Sequence, residues 1–274
     1  MTSDTVIEIA GIPILLRSHD SVFEPAVRKY YADFITPVAS VAPVELTVEV
    51  DASGFPDPET VGAGGAVPVV DVAWTGDRWR LERFDFRGEW SPGTGRGQVC
   101  LAQPQALQSI DSVLRILHSI LAVPPGGCLV HAASAVRNGS AFLFPGVSGA
   151  GKSTLSGLIP SDATLLTDEI SYVRQAEGGY RAFGTPFAGN LGAPGKNVSA
   201  PLKAVYLLNK GPRNKIDPLS RKEAATALLR NVLFFAKDPE LIRTVFETVC
   251  RLVASVPVYR LTFLPTPEVW EIIA

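Results

Sequence analysis

The chain has few cysteines, almost no excess charge and no long apolar run. Its three cysteines are far apart and form no Cys-x-x-Cys pair. This argues against a zinc site or a disulfide framework and favours reduced thiols in a cytoplasm. The formal net charge of -2 lacks the basic excess that is typical of nucleic-acid-binding proteins. The first residues resemble no secretory signal, and no apolar run approaches the roughly 18 residues of a membrane span. We therefore expect a cytoplasmic protein with neither a nucleic-acid nor a membrane partner.

The composition is that of a folded globular protein. Apolar residues make up 46% of the 274 residues and charged residues make up 19%. A chain of this length and polarity can bury a sizeable core, as one large domain or two smaller ones.

The first part of the chain has mainly the alternating apolar pattern of β-strands. Residues 44–50 alternate and are rich in β-branched side chains, and the pattern from 69 to 102 is β throughout. Residues 51–68, rich in Gly, Pro and Asp, are predicted to form a loop. At 105–122 the apolar period becomes helical. We place a boundary just before this helix, which gives a β-rich domain at 1–104, with a possible role in substrate recognition, and a second domain at 105–274.

The second domain alternates between strand and helix patterns, which predicts an α/β (α+β) fold. The expected order is a strand, a turn at Asn138-Gly139, a second strand, a glycine-rich loop and a short helix. Further elements are a strand at 164–173, a Gly/Pro-rich loop at 184–201, a strand at 204–208, helices at 221–236 and 239–254, and a strand at 258–263.

The glycine-rich loop fits the pattern G-x-x-x-x-G-K-[ST] without a mismatch. Its glycines let the backbone approach phosphates closely, and its successive amides can form an anion-binding concavity. The lysine would reach the β- and γ-phosphates of ATP, and the serine hydroxyl would ligate Mg²⁺. The predicted nucleotide-binding residues are Gly146, Val147, Ser148, Gly149, Ala150, Gly151, Lys152, Ser153 and Thr154, the last of which begins the following helix.

An acidic pair follows this loop at a short spacing. Asp168 and Glu169 come directly after an apolar stretch on the next predicted strand. Phosphoryl transfer needs a carboxylate for magnesium and often a second one that orients or deprotonates the attacking group. The span from Ser153 to Asp168 is shorter than in ordinary P-loop ATPases. We therefore predict that the pair completes the site.

The evidence for a functional role is weaker for two further residues. His131 ends the apolar run 128–130, where a lone histidine is more often structural than catalytic. Lys196 lies in the Gly/Pro-rich loop, where most lysines are simply solvated.

Residues 128–173 resemble the kinase domain of bacterial HPr kinase/phosphorylase, and especially its shorter relatives, the HPr-kinase-related and lasso-peptide kinases. The resemblance rests on the loop Gly146–Ser153, on His131 ahead of it and on the pair Asp168-Glu169 after it. It implies a P-loop kinase core of the type shared with ATP-dependent phosphoenolpyruvate carboxykinase, preceded here by the β-rich domain.

The resemblance also implies roles. Asp168 would be the catalytic base, Glu169 and Ser153 would hold magnesium, and His131 would support the carboxylate or the phosphates. The segment from Gly184 would belong to a mobile region that closes over the substrate, with Lys196 at a basic position. Thr154 and Glu169 depart from the family, which has glutamate and aspartate there, and 1–104 does not match its N-terminal domain.

These observations predict an ATP- and Mg²⁺-dependent phosphotransferase, with Asp168, His131 and Lys152 as catalytic residues and with Ser153, Glu169 and Asp168 at the metal. The expected acceptor is a Ser or Thr hydroxyl of a small protein or peptide, and homo-oligomers are possible. Two alternatives stay open. One is a small-molecule kinase, and the other is a regulatory protein that binds ATP without turnover.

Overall fold

The computed structural model describes residues 3–51, 53–56, 69–103, 105–189 and 192–273. The chain divides into two compact units. The N-terminal unit runs to Ile120 and includes Phe235–Ile242, and the C-terminal unit comprises Leu121–Phe234 and the residues from Arg243 onward. Most of the loop predicted at 51–68 lies outside the described residues. The boundary predicted between 104 and 105 stays a prediction.

The N-terminal unit is built on a sheet of seven strands, counted over the described residues, in the order β1-β2-β3-β7-β6-β5-β4. The pairs β2–β3 and β3–β7 are parallel and the other pairs are antiparallel. The strands are β1 (Ser3–Ile9), β2 (Ile12–Ser18), β3 (Val44–Asp51), β4 (Asp71–Thr75), β5 (Arg78–Arg83), β6 (Phe86–Ser91) and β7 (Arg96–Ala102). The helices are α1 (Phe23–Tyr30), a 3-10 turn (Ala32–Phe34) and α2 (Ala106–Leu121).

Apolar periodicity explains this unit. In β3 the side chains of Leu46 and Val48 are buried while Thr47 and Glu49 between them are exposed, as expected for a strand with one face on the core. The predicted helix at 105–122 is confirmed as α2, and its buried face includes Ile110, Val113, Leu114 and Leu117. A helical stripe and an alternating sheet face therefore supply the apolar surfaces of the core.

His118 on α2 makes the stability of this unit depend on pH. Its side chain is fully buried, and burial lowers its pKa to about 3. In the unfolded chain the histidine has a pKa of about 6.5. Between about pH 6.5 and 3 it is therefore protonated in the unfolded chain but neutral in the folded unit. The folded unit is therefore destabilised as the pH falls. From pH 7 to 5 this group alone removes about 2 kcal/mol of the free energy of unfolding.

We expect the His118→Leu variant to lose this pH-dependent part of the free energy of unfolding. Urea unfolding followed by tryptophan fluorescence at pH 7 and pH 5 measures it, because three of the four tryptophans, Trp74, Trp79 and Trp90, lie in the N-terminal unit. The variant should lose less stability than the wild type between these two pH values, by about 2 kcal/mol. An equal loss of stability in both proteins would contradict the assignment of this pH dependence to His118.

The C-terminal unit is built on a sheet of nine strands, again counted over the described ranges. The main path is β10-β8-β11-β12-β13-β16-β14, while β15 pairs with β8, and β9 pairs with both β8 and β13. The strands are β8 (Gly127–Arg137), β9 (Ser140–Pro145), β10 (Ala163–Thr167), β11 (Ile170–Ala176), β12 (Gly179–Phe183), β13 (Ser199–Lys210), β14 (Lys215–Pro218), β15 (Val232–Leu233) and β16 (Val258–Phe263). The helices are α3 (Lys152–Gly157), α4 (Arg221–Leu229), α5 (Pro239–Ser255), which begins in the N-terminal unit, and a 3-10 turn (Pro267–Glu271).

The turn between β8 and β9 was correctly predicted from Asn138-Gly139. Both residues have positive φ angles, 51° and 72°. This is the geometry of the tight turn that matches the twist of an antiparallel hairpin, and Asn-Gly is its preferred sequence.

Two predictions for this unit were wrong in their bounds, and one strand was missed. The strand at 164–173 is two strands, β10 and β11, which pair with successive parts of β8 and are separated by Asp168 and Glu169. The helix at 221–236 ends at Leu229, because the following chain turns back to pair as β15 with β8. Strand β14 was not predicted. Each error reflects pairing with a distant strand, which overrides local propensity.

The chain is thus a mixed α/β protein, rich in sheet, with five α-helices among its described residues. None of the helices described is long and apolar enough to cross a membrane.

Candidate functional site

The glycine-rich loop joins the end of β9 to the start of α3. Gly149 and Gly151 have positive φ angles of 80° and 111°, which L side chains rarely adopt. A Cβ at Gly146 would lie 2.7 Å from Cβ of Ala150, so the tight curl of the loop requires glycine at its first position. Val147, Ser148 and Gly149 form an exposed tip. Backbone of this kind places successive N–H groups in a concavity that suits an anion.

Lys152 lies beneath this tip and is buried, with 7% of its surface exposed. Its ammonium donates a hydrogen bond to the carbonyl oxygen of Gly146, 2.9 Å away. Desolvation lowers the pKa of Lys152, and the negative charges of Glu169 and Asp168 act in the opposite direction. The loop lysine therefore shares one electrostatic environment with both carboxylates.

The acidic pair occupies the break between β10 and β11. The ladder with β8 shifts register near Thr167 and resumes where Ile170 pairs with His131. Asp168 is buried, with 3% of its surface exposed, whereas the side chain of Glu169 is 28% exposed. An interrupted strand releases side chains from strict alternation, so the break directs two neighbouring carboxylates into one site.

His131 contacts the second carboxylate. Its Nε2 lies 2.9 Å from Oε1 of Glu169. Because an ionised carboxylate only accepts, the imidazole is the donor in this bond. The backbone N–H of His131 donates to the carbonyl oxygen of Asn231, at 2.6 Å, which joins this part of β8 to the chain before β15. His131 is therefore placed to orient Glu169.

The segment after β12 packs over the acidic pair. Thr185 and Phe187 are fully buried, and the Thr185 hydroxyl donates to the carbonyl oxygen of Ile170. The backbone N–H of Gly189 donates to Oδ1 of Asp168, at 3.0 Å. Lys196 is exposed, and its backbone N–H donates to the carbonyl oxygen of Leu166 on β10. The start of the loop predicted at 184–201 is thus closely packed against the acidic strand.

We expect Gly189→Ala to disturb the carboxylates directly. The added methyl group would lie 2.7 Å from Cβ of Glu169, closer than real Cβ contacts, and 3.0 Å from Oδ2 of Asp168, which is tighter than most such contacts. Gly189 does not have a positive φ, so this collision is the main cost. Overpacking of this kind typically costs about 1–3 kcal/mol.

Thermal unfolding tests this expectation. Gly157→Ala is the matched control, since a Cβ there meets nothing within 4 Å. A melting temperature of the Gly189 variant equal to that of the wild type would contradict it.

All the site residues predicted from the sequence lie in the C-terminal unit. The negative charges of both carboxylates raise the pKa of Lys152 against the effect of burial, and His131 contacts Glu169. Their roles as base, metal ligands and nucleotide ligands stay predictions. Gly189 was missed, because a glycine in a glycine-rich loop carries no local signal of close approach to a distant carboxylate.

The N-terminal unit carries a different surface feature, an open depression of about 480 Å³ on its sheet. Its lining includes Glu49, Arg80, Glu82, Arg87 and Glu89. Charges of both signs are interspersed here, and Nη2 of Arg80 lies 3.6 Å from Oε2 of Glu82. A balanced surface of this kind shows no concentrated charge that would bind an anion or a cation.

Fold and site together define a mixed α/β protein whose C-terminal unit combines a glycine-rich loop, a buried lysine and an acidic pair. Residues 102–274 match the model of the family described as SynChlorMet cassette protein ScmC. This match covers more than half of the chain, and the protein belongs to the ScmC family. A search of curated proteins gives no match.

The family match corrects the expectation from the sequence. Membership of the HPr kinase/phosphorylase family, including its lasso-peptide-kinase relatives, is wrong, because the matching family is ScmC. Roles that rested only on that resemblance lose their support, so any role for Asp168, Glu169 or His131 must rest on the contacts described above.

Proposed function

We propose that this protein is an ATP- and Mg²⁺-dependent phosphotransferase that transfers the γ-phosphate to a Ser or Thr hydroxyl of a small protein or peptide. In this proposal the C-terminal unit is a P-loop kinase core. The single observation that carries the proposal is the strand pairing around β8, which pairs with β9 just before the loop with the full P-loop pattern, and with β10 and β11 on either side of the acidic pair.

The loop supports nucleotide binding. Its two positive-φ glycines and its exposed tip are the features that a backbone cradle for phosphates requires. Lys152 already donates to a carbonyl oxygen of the loop and can exchange that acceptor for a phosphate oxygen without becoming a buried unpaired cation. The residues present therefore fit a polyphosphate.

The acidic pair supports magnesium binding. Mg²⁺ in nucleotide sites is usually held by one or two carboxylates together with phosphate oxygens and water. No group of three or more His, Cys, Asp or Glu side chains within the described residues forms a metal cage by itself. Glu169, oriented by His131, and the Ser153 hydroxyl would hold the ion. The ion would supply charge neutralisation at the transferring phosphoryl group.

Asp168 would act on the acceptor. Its carboxylate takes the hydroxyl proton while the acceptor oxygen forms its bond to the γ-phosphorus and the bond to the β-phosphate oxygen breaks, leaving ADP. The N–H of Gly189 holds one oxygen of this carboxylate in place. Lys152 and the loop amides offset the negative charge that develops during transfer.

Incubation with γ-labelled ATP and magnesium tests the proposal. Because the matched family is described as a cassette protein, the first acceptors are the other proteins of that cassette, followed by free amino acids and small alcohols. Mass spectrometry should find a product about 80 Da heavier, which corresponds to one added phosphoryl group, on a Ser or Thr of one acceptor. Tight ATP binding with no transfer to any acceptor and no ATP hydrolysis would favour a regulatory protein instead.

A further inference from the structure

The ends of three neighbouring strands meet at the glycine-rich loop. Strand β13 pairs in parallel with both β9 and β16. The carboxyl ends of parallel strands lie at the same edge of a sheet, which is the edge where α/β proteins bind ligands. The loop follows β9, Lys210 ends β13 and Phe263 ends β16. All three therefore lie at one edge of the C-terminal unit.

The space around Gly151 shows how close these strand ends come to the loop. A Cβ at this position would lie 2.7 Å from Cζ of Phe263 and 3.5 Å from Cε of Lys210. The aliphatic stem of Lys210 thus runs against the glycine that precedes Lys152. The ammonium group is one bond beyond Cε, so it lies beside the loop.

The two lysines at the loop have opposite surroundings. Lys152 is buried and donates to the loop's own carbonyl. Lys210 is exposed, and over the described part of the chain it makes no ion pair. A lysine stem packed on protein with its charged end in water is a common arrangement. Beside an anion-binding loop, this arrangement leaves a positive charge that no carboxylate neutralises.

We propose that Lys210 is a second phosphate-binding cation of this loop, which contacts the polyphosphate tail of the bound nucleotide from the solvent side. The ligand class is a nucleoside triphosphate or another linear polyphosphate. This inference rests on the proposed function for the identity of the nucleotide, but only on the loop geometry for the phosphate contact.

Isothermal calorimetry on full-length variants tests the proposal, with Mg-ATP, tripolyphosphate and adenosine as separate probes. Lys210→Ala should weaken binding of ATP and tripolyphosphate by about two- to fivefold, the range for one exposed charge contact. Adenosine binding should not change. Lys210→Arg should keep most of the affinity, since it keeps the charge.

Lys203→Ala is the matched control. Lys203 is also exposed on β13, but its neighbours Leu202 and Ala204 pair with the start of β9, at the end away from the loop. This variant should bind all three probes as the wild type does. The loss in Lys210→Ala should shrink at high salt, because salt screens exposed charges.

The outcomes separate this proposal from the proposed function. Wild-type affinity in Lys210→Ala, or an equal loss in Lys203→Ala, overturns the role of Lys210 and leaves the transferase proposal standing. Suppose that Lys210→Ala loses affinity for ATP and tripolyphosphate but not for adenosine, while the wild type transfers no phosphate. That result supports the role of Lys210 and overturns the transferase proposal. A wild type that binds neither ATP nor tripolyphosphate overturns both.

Discussion

Replacing Asp168 by asparagine will abolish most phosphoryl transfer while ATP binding stays close to the wild-type value. Asparagine keeps the shape of the side chain and an oxygen that accepts from the N–H of Gly189. It removes the basic carboxylate that would take the acceptor's proton. A general base typically contributes about 10²- to 10⁴-fold to the rate, so we expect a loss in that range. Binding should hold, because removing a negative charge beside a phosphate site does not weaken attraction for an anion.

Single-turnover assays with γ-labelled ATP measure the transfer, and calorimetry measures the ATP dissociation constant. Slow hydrolysis of ATP serves as the readout until the acceptor is known, since water replaces the hydroxyl. Asp162→Asn is the matched control, because Asp162 is exposed and pairs only at the surface with Arg137. Undiminished activity in Asp168→Asn would contradict its role as the base and favour a protein that binds ATP without turnover.

Replacing Lys152 by methionine will weaken ATP binding itself. The ammonium is the buried cation of the loop, and a hydrogen bond to a charged group contributes roughly 2 kcal/mol, or about thirtyfold in the dissociation constant. Transfer should fall further, by about 10²- to 10³-fold, because the same charge would stabilise the transition state. Methionine keeps the length and apolar character of the lysine stem, which limits the disturbance of packing.

The same two assays apply, with Lys203→Met as the control. Thermal unfolding must accompany them, because the substitution also removes the hydrogen bond to Gly146 and the positive charge that acts on Asp168 and Glu169. A folded Lys152 variant with wild-type affinity for Mg-ATP would show that nucleotide is not bound at this loop.

Much of the candidate site could be found from the sequence, because its parts are local. The glycines and the lysine of the loop belong to one contiguous segment, and their backbone requirements determine their residue types. The acidic pair was identified by its position after a short apolar strand. The sequence did not predict that this strand breaks at the pair, since the break arises where β10 and β11 pair with different parts of β8.

The family was not identified correctly for a related reason. A loop that suits phosphates needs the same few residues in unrelated proteins, so a short motif describes a site and not a lineage. The loop, His131 and the acidic pair span a small part of the chain, whereas the match to the ScmC family extends over residues 102–274.

The sequence by itself determined the alternating strands of the first unit, the amphipathic α2, the Asn138-Gly139 turn and the loop at 146–153. Each depends on residues close together in the chain, whose side-chain period or backbone freedom acts locally. Only the tertiary structure decided that Gly189 covers Asp168, that His131 contacts Glu169 and that Lys210 lies against Gly151. These contacts join residues that are distant in sequence. They arise from strand pairing and close packing, which no local pattern encodes.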